Sequence, residues 1–176
     1  KESDMKKIKI GDCFDWRIQS AVVVAESKCE PSPIHGNNRW WCQMVSYDGQ
    51  NRWEDIMWPC DHEPIPTLHL PISEPWFSKI LSGEKLEEYR DCKPFYESRL
   101  SIKIVSGTGK TPVPYGNWPK VLHLTNGYGH HRPQLWVHIE EIAIGKGKPE
   151  WGAPEEDVFI ITLGKVFHTK NLNKGK

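Results

Sequence analysis

The octapeptide Gly83-Glu84-Lys85-Leu86-Glu87-Glu88-Tyr89-Arg90 follows the pattern G-x-K-x-x-E-x-R and comes directly after a predicted helix. We predict a strand from Glu84 to Arg90. Side chains two residues apart on a strand share a face, so Glu88 and Arg90 can pair or bind one ligand together, with Lys85 at the start of the strand. The three charges are expected to converge at one mouth of a barrel. The plainer alternative is a surface ion pair, which contributes about 0 to 1 kcal/mol.

The segments around the octapeptide mix helix and strand signals. A short amphipathic helix is predicted from Ser73 to Gly83, because Ser73 is a good N-cap, Pro75 suits a first turn, apolar residues stand at 76, 77, 80 and 81, and Gly83 suits a helix end. Three Gly and three Pro predict a long loop over residues 106–119. The remaining elements are a helical turn or two from Pro94 to Leu100 and strands Val121 to Thr125, Leu135 to Ile144 and Val158 to Val166.

With these neighbours, the octapeptide resembles the ASCH domain of the PUA-like superfamily, of the phage and bacterial type. The likeness covers roughly residues 67–168 and includes the helix beginning Ser73-Glu74-Pro75-Trp76-Phe77, the Asn126-Gly127-Tyr128-Gly129 segment and the Glu150-Trp151-Gly152-Ala153 segment before the last strand. The resemblance implies an α+β fold with a partly open β-barrel and short helices. It also implies that Lys85, Glu88 and Arg90 lie at a cleft between helix and barrel.

A second set of candidate ligand-binding residues surrounds the Asn-Gly-Tyr segment. Asn126 offers a donor and an acceptor to a base edge, Tyr128 offers a stacking face, and Gly127 permits close approach of a ligand to backbone. Arg132 follows in the same loop, and Trp76 at the predicted helix is a further stacking candidate. The plainer alternative is a β-turn with a packed Tyr.

Residues 1–66 are predicted to form a separate small all-β domain, and residues 67–176 the ASCH-like domain. Three prolines within residues 59–66 disfavour a helix across the boundary. Before it, short strands are predicted at 6–10, 17–25, 39–47 and 52–58, the last two joined by a hairpin at Asp48-Gly49. Their length and turn spacing favour an SH3-like barrel.

Charge, hydropathy and cysteine content narrow the classes of function. Lys plus Arg and Asp plus Glu both number 23, so no global basic field draws the chain to nucleic acid or membrane, although residues 101–149 carry six basic and two acidic side chains. No apolar run approaches the roughly 18 residues of a membrane span, so we expect no membrane association. Five Cys, an odd number with irregular gaps, favour reduced thiols in a cytoplasm over the disulfide framework of a small secreted protein. A zinc site could in principle draw on Cys13, Cys29, Cys42, Cys60, His35 and His62, but no C-x-x-C pair fixes two ligands in one turn, so none is expected. No metal or cofactor is expected, and the oligomeric state is open.

Two functions remain. The first is a binding module for RNA or a modified nucleotide, with Lys85, Arg90 and Lys110 or Arg132 at phosphate, Tyr128 or Trp76 stacking, and Asn126 and Glu88 at polar base edges. The second is an enzyme acting on RNA or nucleosides, a ribonuclease or an amidohydrolase, with Lys85 as base and Glu88 as proton shuttle. The amidohydrolases that the resemblance suggests carry a Thr nucleophile three residues after the lysine, where this chain has Glu88.

Overall fold

The chain divides into two compact units, Lys1–Ile65 and Pro66–Lys176. The computed structural model describes residues 12–16, 21–32, 36–45, 52–57, 65–106 and 110–172. The division falls one residue before the boundary expected from the prolines. Each unit carries its own sheet.

The N-terminal unit holds a four-stranded antiparallel sheet in the order β1-β2-β3-β4. The strands are β1 (Cys13–Trp16), β2 (Ala21–Ser32), β3 (Gly36–Val45) and β4 (Arg52–Met57). The register sets Val45 opposite Arg52, so β3 and β4 pair as the predicted hairpin. The turn at Asp48-Gly49 and the strand expected at 6–10 lie outside the described residues, as do residues 17–20 of the next expected strand. The SH3-like barrel stays a prediction.

The C-terminal unit is α+β, with a five-stranded sheet in the order β5-β9-β10-β11-β6 and few, short helices. Strand β5 runs parallel to β9, and the other neighbours are antiparallel. Within the described residues the sheet is open, with β5 and β6 at its two edges. Its strands are β5 (Thr67–Ile72), β6 (Glu87–Asp91), β9 (Val121–Asn126), β10 (Gln134–Gly145) and β11 (Val158–Lys170).

Two helices and a hairpin cover this sheet. Helix α1 spans Trp76–Leu81, helix α2 spans Pro94–Leu100, and β7 (Ile102–Ser106) pairs with β8 (Lys110–Pro114). Alternation along β5 turns Leu68, Leu70 and Ile72 to one face, where α1 adds its buried residues. The core also takes buried apolar side chains from the two helices, from β7 and from strands β9, β10 and β11: Phe77, Ile80, Leu100, Ile102, Leu122, Leu124, Leu135, Val137, Ile139, Phe159, Ile161 and Leu163.

Several predicted elements are confirmed and three are wrong in detail. The helix at Pro94 and the three late strands are confirmed, although β11 continues to Lys170. The first helix begins at Trp76 and ends at Leu81, without a side-chain cap, because the Ser73 carbonyl, not its hydroxyl, accepts the N–H groups of the first turn. Strand β6 begins at Glu87 instead of Glu84. The predicted loop over 106–119 contains strand β8.

None of the helices in the described part of the chain is both long and apolar enough to cross a bilayer.

Candidate functional site

A tight turn after α1 sets the position of Lys85. Gly83 takes a φ of 79°, a left-handed conformation that L side chains rarely adopt, and its N–H donates to the Ile80 carbonyl at 3.1 Å. The Lys85 N–H then donates back to the Lys79 carbonyl at 3.0 Å. Lys85 therefore belongs to the helix terminus, two residues before β6, and not to the strand as predicted.

Glu88 is held between two cations. The Lys85 ammonium donates to Glu88 Oε2 at 2.5 Å, and the Arg90 guanidinium donates to Glu88 Oε1. The side chains of Lys85 and Glu88 are only 3% and 4% exposed. Glu88 and Arg90 share a face of β6 as predicted. Both oxygens of the Glu88 carboxylate therefore have a fixed partner. The three side chains together carry a formal net charge of +1.

Aromatic rings enclose the Lys85 ammonium. Its Nζ lies 5.4 Å from the Trp76 ring centroid and 5.1 Å from that of Tyr89, distances at which a cation is attracted to a ring face. The Tyr89 hydroxyl donates to Glu87 Oε2 at 2.7 Å and accepts the Lys148 N–H at 3.1 Å. Burial, reinforced by the hydrogen bond to Glu87, raises the pKa of Tyr89 above its ordinary value. Tyr89 is therefore a protonated residue whose ring is held in one position.

The connection between β10 and β11 brings a second tryptophan to this place. A 3-10 turn spans Pro149–Trp151 and ends at Gly152, whose φ is 84°. A Cβ at Gly152 would lie 2.7 Å from the Trp76 ring, so only glycine allows this backbone to approach the indole so closely. The Lys148 ammonium lies 4.0 Å from the centroid of the Trp151 ring.

These elements surround an open cleft of about 450 Å³. This volume is within the range of small-molecule sites, roughly 300 to 1,000 Å³. The cleft combines aromatic faces with buried charge. It is lined by Pro71, Ile72, Ser73, Trp76, Lys85, Glu88, Tyr89, Arg90, Asp91, Tyr96, Tyr128, Trp151 and Gly152.

Five of the seven ligand-binding residues predicted from the sequence line this cleft: Trp76, Lys85, Glu88, Arg90 and Tyr128. Tyr128 is 84% exposed and stands at the rim. Asn126 and Arg132 are not among the lining residues. The Asn126 side-chain amide donates to Glu74 Oε1 at 2.7 Å, and the Arg132 guanidinium packs against Gly127, where a Cβ would lie 3.3 Å from its Nη2.

Sequence reasoning missed the contributions of Tyr96, Asp91, Trp151 and Gly152 to the lining. In the sequence, the segment containing Trp151 stands out only through the family resemblance. Its position next to a glycine, before the last strand, was the one available signal. Tyr96 carries no such signal, because its approach to Arg90, with the guanidinium 6.0 Å from the ring centroid, depends on how α2 packs.

A second polar cluster crosses the sheet, with His123 and Gln134 buried and His69 exposed, and none of its members lines the cleft. His123 and His69 face each other in the register of β5 and β9, with their Nδ1 atoms 2.6 Å apart. His123 Nε2 lies 2.8 Å from Gln134 Oε1, and its ring stacks on Trp136 at 3.9 Å. Burial, followed by the charge of His69, lowers the pKa of His123 to about 3. We therefore expect a neutral His123 at physiological pH.

Across the described residues no group of three or more His, Cys, Asp and Glu side chains is arranged to hold a metal ion. Cys29 and Cys42 are partners in the register of β2 and β3, whereas His35, Cys60 and His62 lie outside the described part of the chain. The adjacent His130 and His131 are exposed loop residues.

The chain matches no family model, no curated protein and no solved structure. The resemblance to ASCH domains therefore stays a prediction.

Proposed function

We propose that Pro66–Lys176 is an ASCH-type, PUA-like module that binds an unpaired base or nucleotide of RNA in the cleft beside α1. The observation that carries this proposal is the buried Lys85–Glu88–Arg90 group at a cleft with aromatic walls. A buried ion pair is weak support for stability, because desolvation offsets much of the attraction between the charges. Its position at an open cleft favours a role in binding.

Lys85 has hydrogen-bonding capacity to offer a ligand. An ammonium has three donors, and the contacts described for Lys85 Nζ are one hydrogen bond to Glu88 and two ring faces. A carbonyl of a base or a phosphate oxygen in the cleft would satisfy a further donor. The net charge of +1 favours such an electron-rich or anionic group.

The aromatic residues supply stacking surfaces. Trp151 and Tyr128 line the cleft, and Tyr128 is exposed enough to change its position when a ligand arrives. Stacking of a base on an aromatic side chain contributes about 1 to 3 kcal/mol. The hydrogen bond from the Asn126 side-chain amide to Glu74 holds the loop of Asn126 in place. The Oδ1 atom of the same side chain can still accept a hydrogen bond from a ligand.

The enzymatic alternative has less support from the geometry. A proton taken up by Glu88 would weaken its attraction to Lys85 and Arg90, because each oxygen of the carboxylate contacts one of these cations. The hydroxyl of Tyr89, which also lines the cleft, is committed to Glu87 and to Lys148. Binding without chemistry requires neither change.

The test is a titration of the full chain with nucleoside monophosphates and short single-stranded RNA, followed by tryptophan fluorescence. Tyr128→Ala removes an exposed ring with little effect on folding, and we expect binding to weaken about five-fold or more. Lys85→Met is expected to weaken it at least as much. Glu84→Gln, at the exposed pair beside the same turn, is the control and should bind normally.

Normal binding by both Tyr128→Ala and Lys85→Met would contradict the proposed site. Cleavage of the RNA, or removal of an acyl group from a modified base, that disappears in Lys85→Met would favour the enzyme instead.

A further inference from the structure

Residues 98–139 form the longest stretch of the sequence without Asp or Glu, and they contain five Lys and Arg residues. This stretch therefore suits an anionic partner. Two of these cations, Lys110 and Arg132, are already phosphate candidates from the sequence, and Arg132 packs at Gly127. Three others, Arg99, Lys103 and Lys120, lie on exposed positions of α2, β7 and the segment before β9. Uncompensated positive charge on one continuous stretch favours a polyanion.

Each of these three cations lies over an aromatic ring. Arg99 is 5.4 Å from the Phe95 centroid, Lys103 is 5.4 Å from that of Tyr115, and Lys120 is 3.4 Å from that of Trp118. Phe95 and Tyr115 are 60% and 53% exposed, although Phe is among the residues most often buried. We name these six residues the basic-aromatic strip: Phe95, Arg99, Lys103, Tyr115, Trp118 and Lys120.

The strip is tied together by backbone contacts. The Tyr115 N–H donates to the Ser101 carbonyl at 3.0 Å, which joins the end of β8 to the end of α2. Lys103 is the register partner of Val113, two residues before Tyr115. The Lys120 N–H donates to the Pro66 carbonyl at 2.9 Å, which fixes the far end of the strip at the start of β5.

The strip also adjoins the cleft. Tyr96, next to Phe95 on α2, lines the cleft. Arg90 and Arg99 donate to the carbonyls of Pro71 and His69, two residues apart on β5, so these acceptors are about 6 to 7 Å apart. Two guanidinium groups thus stand side by side along one strand, one at the cleft and one in the strip.

We propose that the basic-aromatic strip binds the nucleotides that flank the one in the cleft, so that a single-stranded nucleic acid runs from the cleft over α2 and along the β7–β8 hairpin. The ligand class rests on the proposed function. Cations beside exposed rings suit a partner with both phosphates and base faces, since charge tracks the backbone while rings stack the bases.

The experiment compares a nucleoside monophosphate with an RNA octamer on the full chain at several salt concentrations. In Lys103→Gln/Lys120→Gln, we expect the slope of log K against log salt for the octamer to fall by about 1.4, because each phosphate contact on a single strand contributes about 0.7. Monophosphate binding should not change. Tyr115→Ala should weaken octamer binding about five-fold or more without changing the slope.

The charge-matched control is Lys146→Gln/Lys165→Gln. Lys146 is an exposed cation on the connection before β11, and Lys165 is an exposed cation on β11 itself. This control variant should keep the wild-type slope. An unchanged octamer slope in Lys103→Gln/Lys120→Gln, with normal monophosphate binding, would overturn the strip and leave the cleft intact. Loss of slope in this variant while Lys85→Met and Tyr128→Ala bind normally would support the strip and reject the cleft. No octamer binding by the wild type, or equal strip-dependent binding to anionic lipid vesicles, would overturn the strip.

Discussion

Replacing Glu88 by Gln tests whether one buried carboxylate holds the cleft together. The substitution keeps the shape of the side chain but removes the negative charge that Lys85 and Arg90 both contact. Because Lys85 is 3% exposed, water screens its ammonium poorly. Breaking a buried ion pair by removing one partner costs about 3 to 5 kcal/mol. For a unit of this size, at about 4 °C per kcal/mol, the melting temperature should fall by roughly 12 to 20 °C.

Lys85→Met should have a smaller effect, because Glu88 keeps its hydrogen bond from Arg90. We expect a loss of about 1 to 3 kcal/mol, the penalty for an incompletely satisfied buried group. Glu84→Gln is the matched control. It makes the same change from acid to amide at the Lys79–Glu84 pair, 2.7 Å long with side chains 31% and 57% exposed, and should cost about 0.2 to 1 kcal/mol.

The assay is urea unfolding of the wild type, the three single variants and a double variant, followed by far-ultraviolet circular dichroism and tryptophan fluorescence. Lys85→Met/Glu88→Gln completes a double-mutant cycle, in which we expect a coupling of about 0.5 to 3 kcal/mol between these neighbours. A loss in Glu88→Gln no larger than that in Glu84→Gln would refute the reasoning. So would a larger loss in Lys85→Met than in Glu88→Gln.

Three further predictions follow from backbone geometry and buried charge. Gly152→Ala should destabilise the protein by about 1 to 2 kcal/mol in urea unfolding, from its positive φ alone, and perturb Trp76 fluorescence; unchanged fluorescence would contradict the close contact. Ser101→Gly should raise the urea midpoint and stabilise the protein by up to about 1 kcal/mol, because Ser101 ends α2 with a φ of 53°, which Gly adopts more easily. A lower midpoint would show that the contacts of the Ser101 side chain stabilise the fold by more than its φ costs. The pKa of His123 is lowered from 6.5 to about 3, so the unfolded chain binds the proton first and stability should fall as pH drops below about 6.5, by at most about 1.4 kcal/mol per pH unit for this group. His123→Gln should flatten urea midpoints measured between pH 7 and 4.5, and an unaltered pH profile would argue against a buried neutral imidazole.

The elements that the sequence predicts correctly are those with local causes. The helix at Pro94 begins with a residue suited to a first turn, and Leu100 closes it in the core. The late strands carry apolar runs that suit a sheet covered on its faces, and β9 is buried at four successive positions from Val121 to Leu124. Such signals are contained in a few neighbouring residues.

The start of β6 depends on contacts that lie further apart. Glu84 to Arg90 has no breaker, so the pattern predicts one continuous strand. In the structure the Lys85 N–H donates to the Lys79 carbonyl, so this residue stays with the end of α1. The first hydrogen bond to β11 is made by the Leu86 carbonyl, which accepts the N–H of Leu163, and the register pairs begin at Glu87. Nothing in the octapeptide itself indicates where β11 will lie.

The candidate site was predictable where one segment carries it and not where several meet. Glu88 and Arg90 pair because of the two-residue period of a strand, which the sequence determines. Trp151 reaches the same cleft by a 3-10 turn and by the fit of Gly152 against Trp76, which is more than 70 positions away in the chain. Contacts of this kind follow from packing of the complete core, so no local pattern predicts them.

Arg90 shows why the choice of test residue matters. Besides contacting Glu88, it donates to the carbonyl of Pro71, while Arg99 does the same for His69. Both carbonyls belong to β5, an edge of the described sheet, where covering free backbone groups guards against unwanted strand pairing. A loss of binding in an Arg90 variant would therefore mix a missing ligand contact with a loosened edge. Tyr128, exposed and at the rim, makes the cleaner probe of binding, because its removal changes the ligand surface and leaves the edge closed.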